Sequence, residues 1–327
     1  MRGPAGSVAI MRERVRLMQI AVAGEALIDF LNTGPLAFQG HFGGSPFNTA
    51  IAAARLGAAT GYLTQLSTDM FGQPLRSYLE ENGVDTSLVL TSDAPSTLAF
   101  VERLAGTNRY VFLAKHSADA GYAPDPLPDL PPENVFLQFG SVSLLNEPAA
   151  TTITNLVAKH HGRCIIGFDP NVRPTVIPDM DAYRRRAEGW LGQTHLLKIS
   201  DEDVALLVPG ARFEDCATRW FGLGVRAVVV TRGGEGASLF RPGAPRLDVT
   251  PPKVTVADTV GAGDTFTAGL LTGLLDAGVR KVADLSGLAD EAWNRALAFA
   301  ATAAALNCTR AGCNPPLRAE VRDFLAA

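Results

Sequence analysis

The sequence lacks any C-x-x-C pair: its four cysteines, Cys164, Cys216, Cys308 and Cys313, are scattered through 327 residues. That spacing excludes a disulfide-framed scaffold and a zinc ribbon, and it points to reduced, structural thiols. Positive charge is not in surplus either, with 29 Lys and Arg against 33 Asp and Glu and a net charge of -4. Nothing in that balance favours nucleic acid or an anionic membrane as partner. The short basic runs, Arg12, Arg14 and Arg16 around Glu13 and Arg184-Arg185-Arg186 after Asp179 and Asp181, read as solvated faces. No apolar run is long enough to span a bilayer. Residues 1–17 carry Gly, Pro and Arg without a continuous apolar core, so they are expected to be a disordered extension and no secretion signal, with Met11 and Met18 as further possible starts and the cytoplasm as the expected location. His160-His161 has no acid or thiol at the spacing a helical metal site needs, and the pair reads as surface histidines. The phosphate-binding pattern G-x-x-x-x-G-K-[ST] is missing as well.

What is present is apolar residues (47%) and turn formers, 32 Gly and 21 Pro. The length suffices for a full core in one large domain or two. Short apolar runs alternate with helical patterns. Ile20 to Gly24, with Glu25 and Asp29 following as acids at its end, Thr60 to Gln65, Val135 to Phe139, Cys164 to Phe168, Leu196 to Ile199 and Ala227 to Thr231 read as strands. Pro46 to Leu56, Phe71 to Asn82, Glu147 to His160, Ala182 to Leu191 and Phe213 to Phe221 read as helices, and two long ones span about Asp264 to Asp276 and Leu288 to Asn307. This order predicts a mainly parallel sheet between two helical layers. Thr97 to Leu104 and Arg109 to Ala114, around Ala105-Gly106-Thr107-Asn108, read as a hairpin inserted into the alternation, and Ala237 to Phe240 with Arg246 to Val249 as another.

Chemistry concentrates where strands end and helices begin. Gly261-Ala262-Gly263 precedes the helix starting at Asp264, whose Phe266, Leu270 and Leu274 form an apolar stripe. Three small residues at a helix start let backbone N–H groups point at an anion, with the helix dipole favouring negative charge. A carboxylate beside an anion site is a poor choice for binding alone. Asp264 there suits a base that takes a hydroxyl proton while the turn stabilises a transferring phosphoryl group. An isolated Asp in this position would be a cap. Gly233-Gly234-Glu235-Gly236 is also glycine-rich, which alone is a weak phosphate signal and fits a simple hairpin turn.

The segment Asp258-Thr-Val-Gly-Ala-Gly-Asp-Thr-Phe-Thr-Ala-Gly-Leu-Leu271 resembles the C-terminal signature of the ribokinase, or PfkB, family. Gly43-Gly44-Ser-Pro-Phe-Asn48, Leu56-Gly57 and Asp69-Met-Phe-Gly72 resemble its N-terminal one. The resemblance covers about Gln19 to Arg322. It implies a ribokinase-like α/β fold over residues 18–327, a central sheet sandwiched by helices, and a small β lid from about 31–43 and 95–116 that closes over the sugar. It also implies ATP with Mg²⁺ as cofactors, and a homodimer joined through the lid. Residue by residue it makes Asp264 the base, Gly261, Ala262 and Gly263 the anion hole, and Arg173 a further catalytic group. Asp29, Gly43, Gly44, Asn48, Phe100 and Asn171 become sugar contacts, and Lys198, Ser200, Thr231, Gly233, Gly236, Gly263 and Asn307 nucleotide contacts. Ser200 and Asp203 stand where the family has Asn and Glu, with Asp203 implied to hold Mg²⁺ through water. In many relatives the backbone around Asp258 and the loop from Asn307 hold a monovalent cation, which leaves K⁺ open here. Phe168-Asp-Pro-Asn-Val-Arg-Pro174, Lys198-Ile-Ser-Asp-Glu and Cys308-Thr-Arg-Ala-Gly-Cys-Asn-Pro-Pro316 resemble members that phosphorylate fructose to fructose 6-phosphate. A 2-keto-3-deoxygluconate kinase, a nucleoside kinase and a binding regulator without catalysis stay as alternatives.

Overall fold

The structure is a computed structural model and describes residues 18–104 and 107–327. The expected extension over 1–17 and the hairpin residues Ala105-Gly106 lie outside the described residues. In chain order the strands are β1 Ile20–Ala23, β2 Leu27–Gly34, β3 Ala37–Gly43, β4 Thr60–Leu63, β5 Gln65–Ser67, β6 Leu90–Ser92, β7 Thr97–Leu104, β8 Thr107–Leu113, β9 Phe136–Gly140, β10 Ile165–Asp169, β11 Leu196–Ser200, β12 Ala227–Thr231, β13 Ala237–Phe240 and β14 Leu247–Val249.

Eight of them make one sheet in the order β14-β13-β12-β11-β10-β9-β1-β4, parallel from β4 to β12 and antiparallel at the β13 and β14 edge. Strand side chains alternate between faces, and each face buries its own core. Ile20, Val22, Phe136, Ile165, Leu196 and Val229 pack under the helices Ser45–Arg55, Ala262–Asp276 and Asp290–Cys308. Ala21, Ala23, Leu137, Ile166, Leu197 and Val230 pack under Ala149–His160, Met180–Leu191 and Phe213–Leu223. Because β11 puts Leu197 and Ile199 into the second core, Lys198 between them faces the first, toward the helix Ala262–Asp276. Gly269 and Gly273 of that helix let Asp290–Cys308 approach closely, since a Cβ on either would lie 2.7 or 2.9 Å from the Cα of Ala300 or Ala296. Strand order reverses between β1 and β9, the place where such sheets open a crevice beyond their carboxyl ends.

The second sheet, β3-β2-β7-β8, stands over that crevice. It begins at Leu27, a little before the expected boundary at 31, because β2 continues the chain directly out of the β1 end. Thr60 to Gln65 is not one strand: β4 ends at Leu63, and β5 pairs with β6 in a separate two-stranded sheet. Short helices at Asp201–Leu207, Val282–Gly287 and Arg318–Ala326 were not expected. Each has few turns in which a 3.6-residue period could show.

The histidine pair is a correction. His160 is fully buried, with Nε2 3.2 Å from the Pro128 carbonyl, and His161 lies against His195 with ring centroids 4.3 Å apart. The helix Ala149–His160 turns its last residue inward, which adjacent histidines diverging on a helix permit. His195 is 6% exposed and its Nδ1 accepts from Ile166 N at 3.0 Å. Burial, with the positive charges of His161 and Arg226 adding, brings its pKa down to about 4. A proton would remove that acceptor. Between about 4 and the ordinary 6.5 the unfolded chain binds the extra proton, so this contribution is complete above 6.5 and is lost as pH falls, by up to about 3 kcal/mol. His195→Asn, which keeps an acceptor without a titratable ring, is expected to flatten the fall of unfolding free energy between pH 6.5 and 4 in denaturant titrations; an unchanged slope would show that His195 does not carry it.

Candidate active site

The polar centre lies where the second sheet overhangs the carboxyl ends of β1, β9, β10 and β11. Asp264, in the first turn of Ala262–Asp276, is 7% exposed. Its Oδ1 accepts from Ser45 Oγ at 2.7 Å and its Oδ2 from Asn48 Nδ2 at 2.8 Å. Ser45 and Asn48 are three apart at the start of Ser45–Arg55, so one helical turn presents both donors to one carboxylate. Burial pushes the Asp264 carboxyl above the usual range, while those two hydrogen bonds and Lys198 pull it down and Asp169 adds to the rise. The group is therefore oriented, and more basic than a carboxylate in water.

Gly261 caps this helix in the left-handed conformation, φ 74°, and a Cβ there would lie 2.2 Å from Cys313 Sγ. Only glycine fits both requirements. Among the described residues the amides of Gly261 and Gly263 meet no acceptor, whereas Ala262 N donates to Thr259 O at 3.2 Å. Gly263 is exposed to the crevice, and a Cβ on it would lie 3.1 Å from Lys198 Nζ. The turn thus offers open donors with an ammonium beside them, a setting for negative charge.

Lys198 is buried and pairs with Asp169 at 2.9 Å, and Asp169 Oδ2 also accepts from Thr267 Oγ1 at 3.1 Å. Burial would lower the Lys198 pKa, but Asp169, with Asp264 and Asp203 beyond it, holds it above its ordinary value. Asp203 Oδ1 accepts from Val172 N at 3.0 Å, and burial with the charge of Asp169 pushes its carboxyl up to about 6 against Lys198 and Arg173. Ser200 caps Asp201–Leu207, its Oγ accepting from Asp203 N. Asn171, at φ 43°, and Arg173 lie in the loop after β10, within electrostatic reach of Asp29 and Asp203 in the case of Arg173. Asp169 Oδ1 is buried without a partner among the described residues.

Asp29 does not sit at the end of a central strand, as its place after β1 suggested, but within β2. Burial pushes its carboxyl up to about 6, with Arg173 opposing and Asp264 adding. A Cβ on Gly43 would lie 2.1 Å from Asp29 Oδ2, and a Cβ on Gly44, φ 102°, 2.7 Å from Glu25 O. Phe100 does not join this group. It pairs with Phe30 and stacks on it at 5.1 Å, so strand alternation puts it on the face opposite Asp29. Ala99, beside Asp29, and Phe112, opposite Ala99, share the Asp29 face instead.

Thr231 ends β12, its Oγ1 3.5 Å from Ile199 O, and Gly233 to Gly236 turn the chain into β13. The Gly236 conformation, φ 94°, seats it against Val249 O, where a Cβ would lie 2.0 Å away. Asn307, fully buried, donates to Val260 O at 2.8 Å and accepts from Asn314 N at 3.0 Å. Both ends of its amide tie the Cys308 to Asn314 loop to the segment leading into Gly261. Asp258 does the same with Val260 N and Gly312 N on its two oxygens. All four cysteines are free. A cavity of 520 Å³ lined by Phe30, Phe42, Asn48, Tyr78 and Cys313 lies behind β2 and β3. Neither Asp29 nor Asp264 lines it, so it adjoins the polar centre without containing it.

The arrangement can take a proton at Asp264 and stabilise an anion at Gly261 to Gly263 in the same few ångströms. Ser45 and Thr267 were missed in the sequence: Thr267 is i+3 to Asp264, a spacing that could have signalled it, whereas Ser45 meets Asp264 only through a contact 219 residues away in the chain.

A model of the pfkB family carbohydrate kinases matches residues 19–320. The chain is 37% identical over 259 residues to a fructokinase of Rhizobium leguminosarum bv. trifolii, covering 78% of this chain and 79% of that one. It is 32% identical over 323 residues to fructokinase-1 of Zea mays, covering 92% and 96%. The crystal structure of a fructokinase with bound ATP from Xylella fastidiosa matches with a TM-score of 0.85 at 27% identity, over 94% of this chain and 98% of that one. The ribokinase-like α/β fold expected from the sequence is thereby met.

Gly43→Ala is expected to push Asp29 out of place. Isothermal titration should give at least about tenfold weaker sugar binding with nucleotide affinity kept; unaltered sugar affinity would show that Asp29 is not a sugar contact.

Proposed function

The chain belongs to the pfkB family of carbohydrate kinases, phosphotransferases with an alcohol group as acceptor, and from that premise we propose that it transfers the γ-phosphoryl group of ATP to a primary hydroxyl of fructose, giving fructose 6-phosphate. The observation that carries this reading is the buried Asp264 carboxylate, gripped by Ser45 and Asn48, beside the open amides of Gly261 and Gly263. The fructokinase names of the relatives support the sugar.

Asp264 takes the hydroxyl proton as the sugar oxygen attacks, and the amides of the turn with Lys198 stabilise the charge that spreads over the transferring group. Asp29 and the free carbonyl end of Asn48 hold sugar hydroxyls, with Gly43 and Gly44 giving them room. Arg173 balances the charge of Asp29 and Asp203. Thr231, Gly233 and Gly236 line the nucleotide side. Mg²⁺ fits the acceptors present, because the partnerless Asp169 Oδ1 and the Asp203 carboxyl suit a hydrated cation. When bound, it would neutralise phosphate charge and orient the β- and γ-phosphates. K⁺, if used, would sit with the backbone near Asp258 and Gly312. The β3-β2-β7-β8 sheet acts as a lid that excludes water from the reaction.

Val111 and Leu113 are 54% and 56% exposed and Phe38 39%, all on this lid. Such a surface is a liability for a monomer. It supports a homodimer joined lid to lid, and the cytoplasm is the compartment proposed for it. No helix among the described residues is long and apolar enough to cross a membrane. Sedimentation velocity should give a dimer for the wild type and a monomer for Val111→Asp with Leu113→Asp; a dimer that survives both changes would place the interface elsewhere.

The substrate is tested by a coupled assay with Mg-ATP and a panel of fructose, 2-keto-3-deoxygluconate, ribose, glucose and nucleosides, with the product read by phosphorus NMR. Fructose is expected to turn over best, with phosphate on C6 and activity lost on chelation of Mg²⁺. Best turnover on 2-keto-3-deoxygluconate would move the substrate within the family, and binding without transfer would point to a regulator.

A further inference from the structure

Glu25 has no part in the chemistry above, yet it is 3% exposed and stands at the end of β1, beside the reversal of strand order. Its Oε1 accepts from Ser45 N at 3.3 Å and its Oε2 from Ser143 N at 3.1 Å. Its own carbonyl accepts from Tyr62 Oη at 2.5 Å. Ser45 opens the helix Ser45–Arg55, and the residue before it, Gly44, has no side chain with which to cap. The carboxylate that caps this helix therefore comes from twenty residues earlier in the chain. Ser143 belongs to the 3₁₀ turn Ser141–Leu144 that follows β9. One buried side chain thus fastens the helix start to the end of the central sheet.

The same helix turn supplies both donors to Asp264. Glu25 holds the backbone of Ser45 while the Ser45 hydroxyl holds Asp264 Oδ1. We propose that Glu25 is a positioning residue for phosphoryl transfer, fixing through Ser45 the turn that orients the Asp264 carboxylate. The proposal rests on Asp264 being the base.

Glu25 is also where the chain first crosses from the central sheet into the overhanging one. The crossing into and out of β7 and β8 is fastened nearby by Asp119, whose Oδ1 accepts from Thr97 Oγ1 at 2.5 Å and Ser117 Oγ at 2.7 Å. Burial pushes the Glu25 carboxyl up to about 7, with hydrogen bonds from Ser141 and Ser143 opposing and the charge of Asp119 adding. Tyr62 and Asp119 are the titratable groups that couple to it. Protonated, Glu25 presents an O–H where two amides each need an acceptor, so the clamp loosens on the acid side.

Glu25→Gln keeps the shape and sets an amide NH₂ against one of the two N–H groups. Its kcat is expected to fall about ten- to a hundredfold, with KM for Mg-ATP changed by less than about twofold and cooperative unfolding retained. In an Asp264→Asn background the same change should cost nothing further, because both act through one carboxylate. An undiminished kcat, or an equal loss in the Asp264→Asn background, overturns the proposal. Glu25→Asp, which keeps the charge but shortens the reach, should show the effect in smaller measure should Glu25→Gln not fold. A carboxyl-carbon NMR titration reads the geometry without any sugar: the Asp264 midpoint must rise in either variant as the Ser45 bond weakens, and an unmoved midpoint contradicts the proposal. Failure of every panel sugar in the wild type would instead sink the substrate reading, with this midpoint still deciding the role of Glu25.

Discussion

A negative charge buried at a helix start is what the rest of the site is built to sustain. Water no longer solvates Asp264, and desolvation of a carboxylate costs several kcal/mol unless hydrogen bonds and opposite charge replace the lost solvent. Ser45 and Asn48 supply one hydrogen bond to each oxygen, and Lys198 supplies the charge. This partial compensation leaves the group raised above its ordinary pKa, which suits a base better than a fully satisfied carboxylate would. The donors come from the opening helix turn and the carboxylate from a helix more than two hundred residues later. Both therefore depend on the central sheet for their relative position.

Around that centre the charges alternate. Asp169 is neutralised by Lys198, while Asp29 and Asp203 share the influence of Arg173 and are both pushed up to about 6 by burial. A crevice holding four carboxylates this close cannot keep all of them ionised without cations, and an incoming nucleotide with its metal enters a set already adjusted to charge. The glycines serve the same end by close approach. Gly43 lets Asp29 lie against the backbone, Gly261 makes room for Cys313, and Gly263 leaves the Lys198 ammonium beside the anion turn.

Much of this was legible before any coordinates. The β and α alternation gave the parallel sheet and its order of helices, and the small residues before Asp264, which alone fit a capped helix as well, pointed to an anion turn once the PfkB-like signature around them was read. What stayed hidden depends on pairing across the chain. The face on which Phe100 points is fixed by its register with Phe30, which no local pattern reveals. Asp29 reads as the end of a central strand until the second sheet is seen to begin at Leu27. Ser45 and Glu25 look like ordinary polar residues, since their value lies in contacts 219 and 118 residues away in the chain. His160 reads as exposed because burial of a helix end against Pro128 leaves no periodic trace.

The central claim, that Asp264 is the proton acceptor, is tested most directly by single-turnover phosphoryl transfer with Asp264→Asn, measured beside its affinity for Mg-ATP. The asparagine keeps the shape and loses the basicity. The account predicts an unchanged nucleotide affinity and a transfer rate lower by roughly 10² or more. Transfer at the wild-type rate would contradict it and move the base elsewhere in the site.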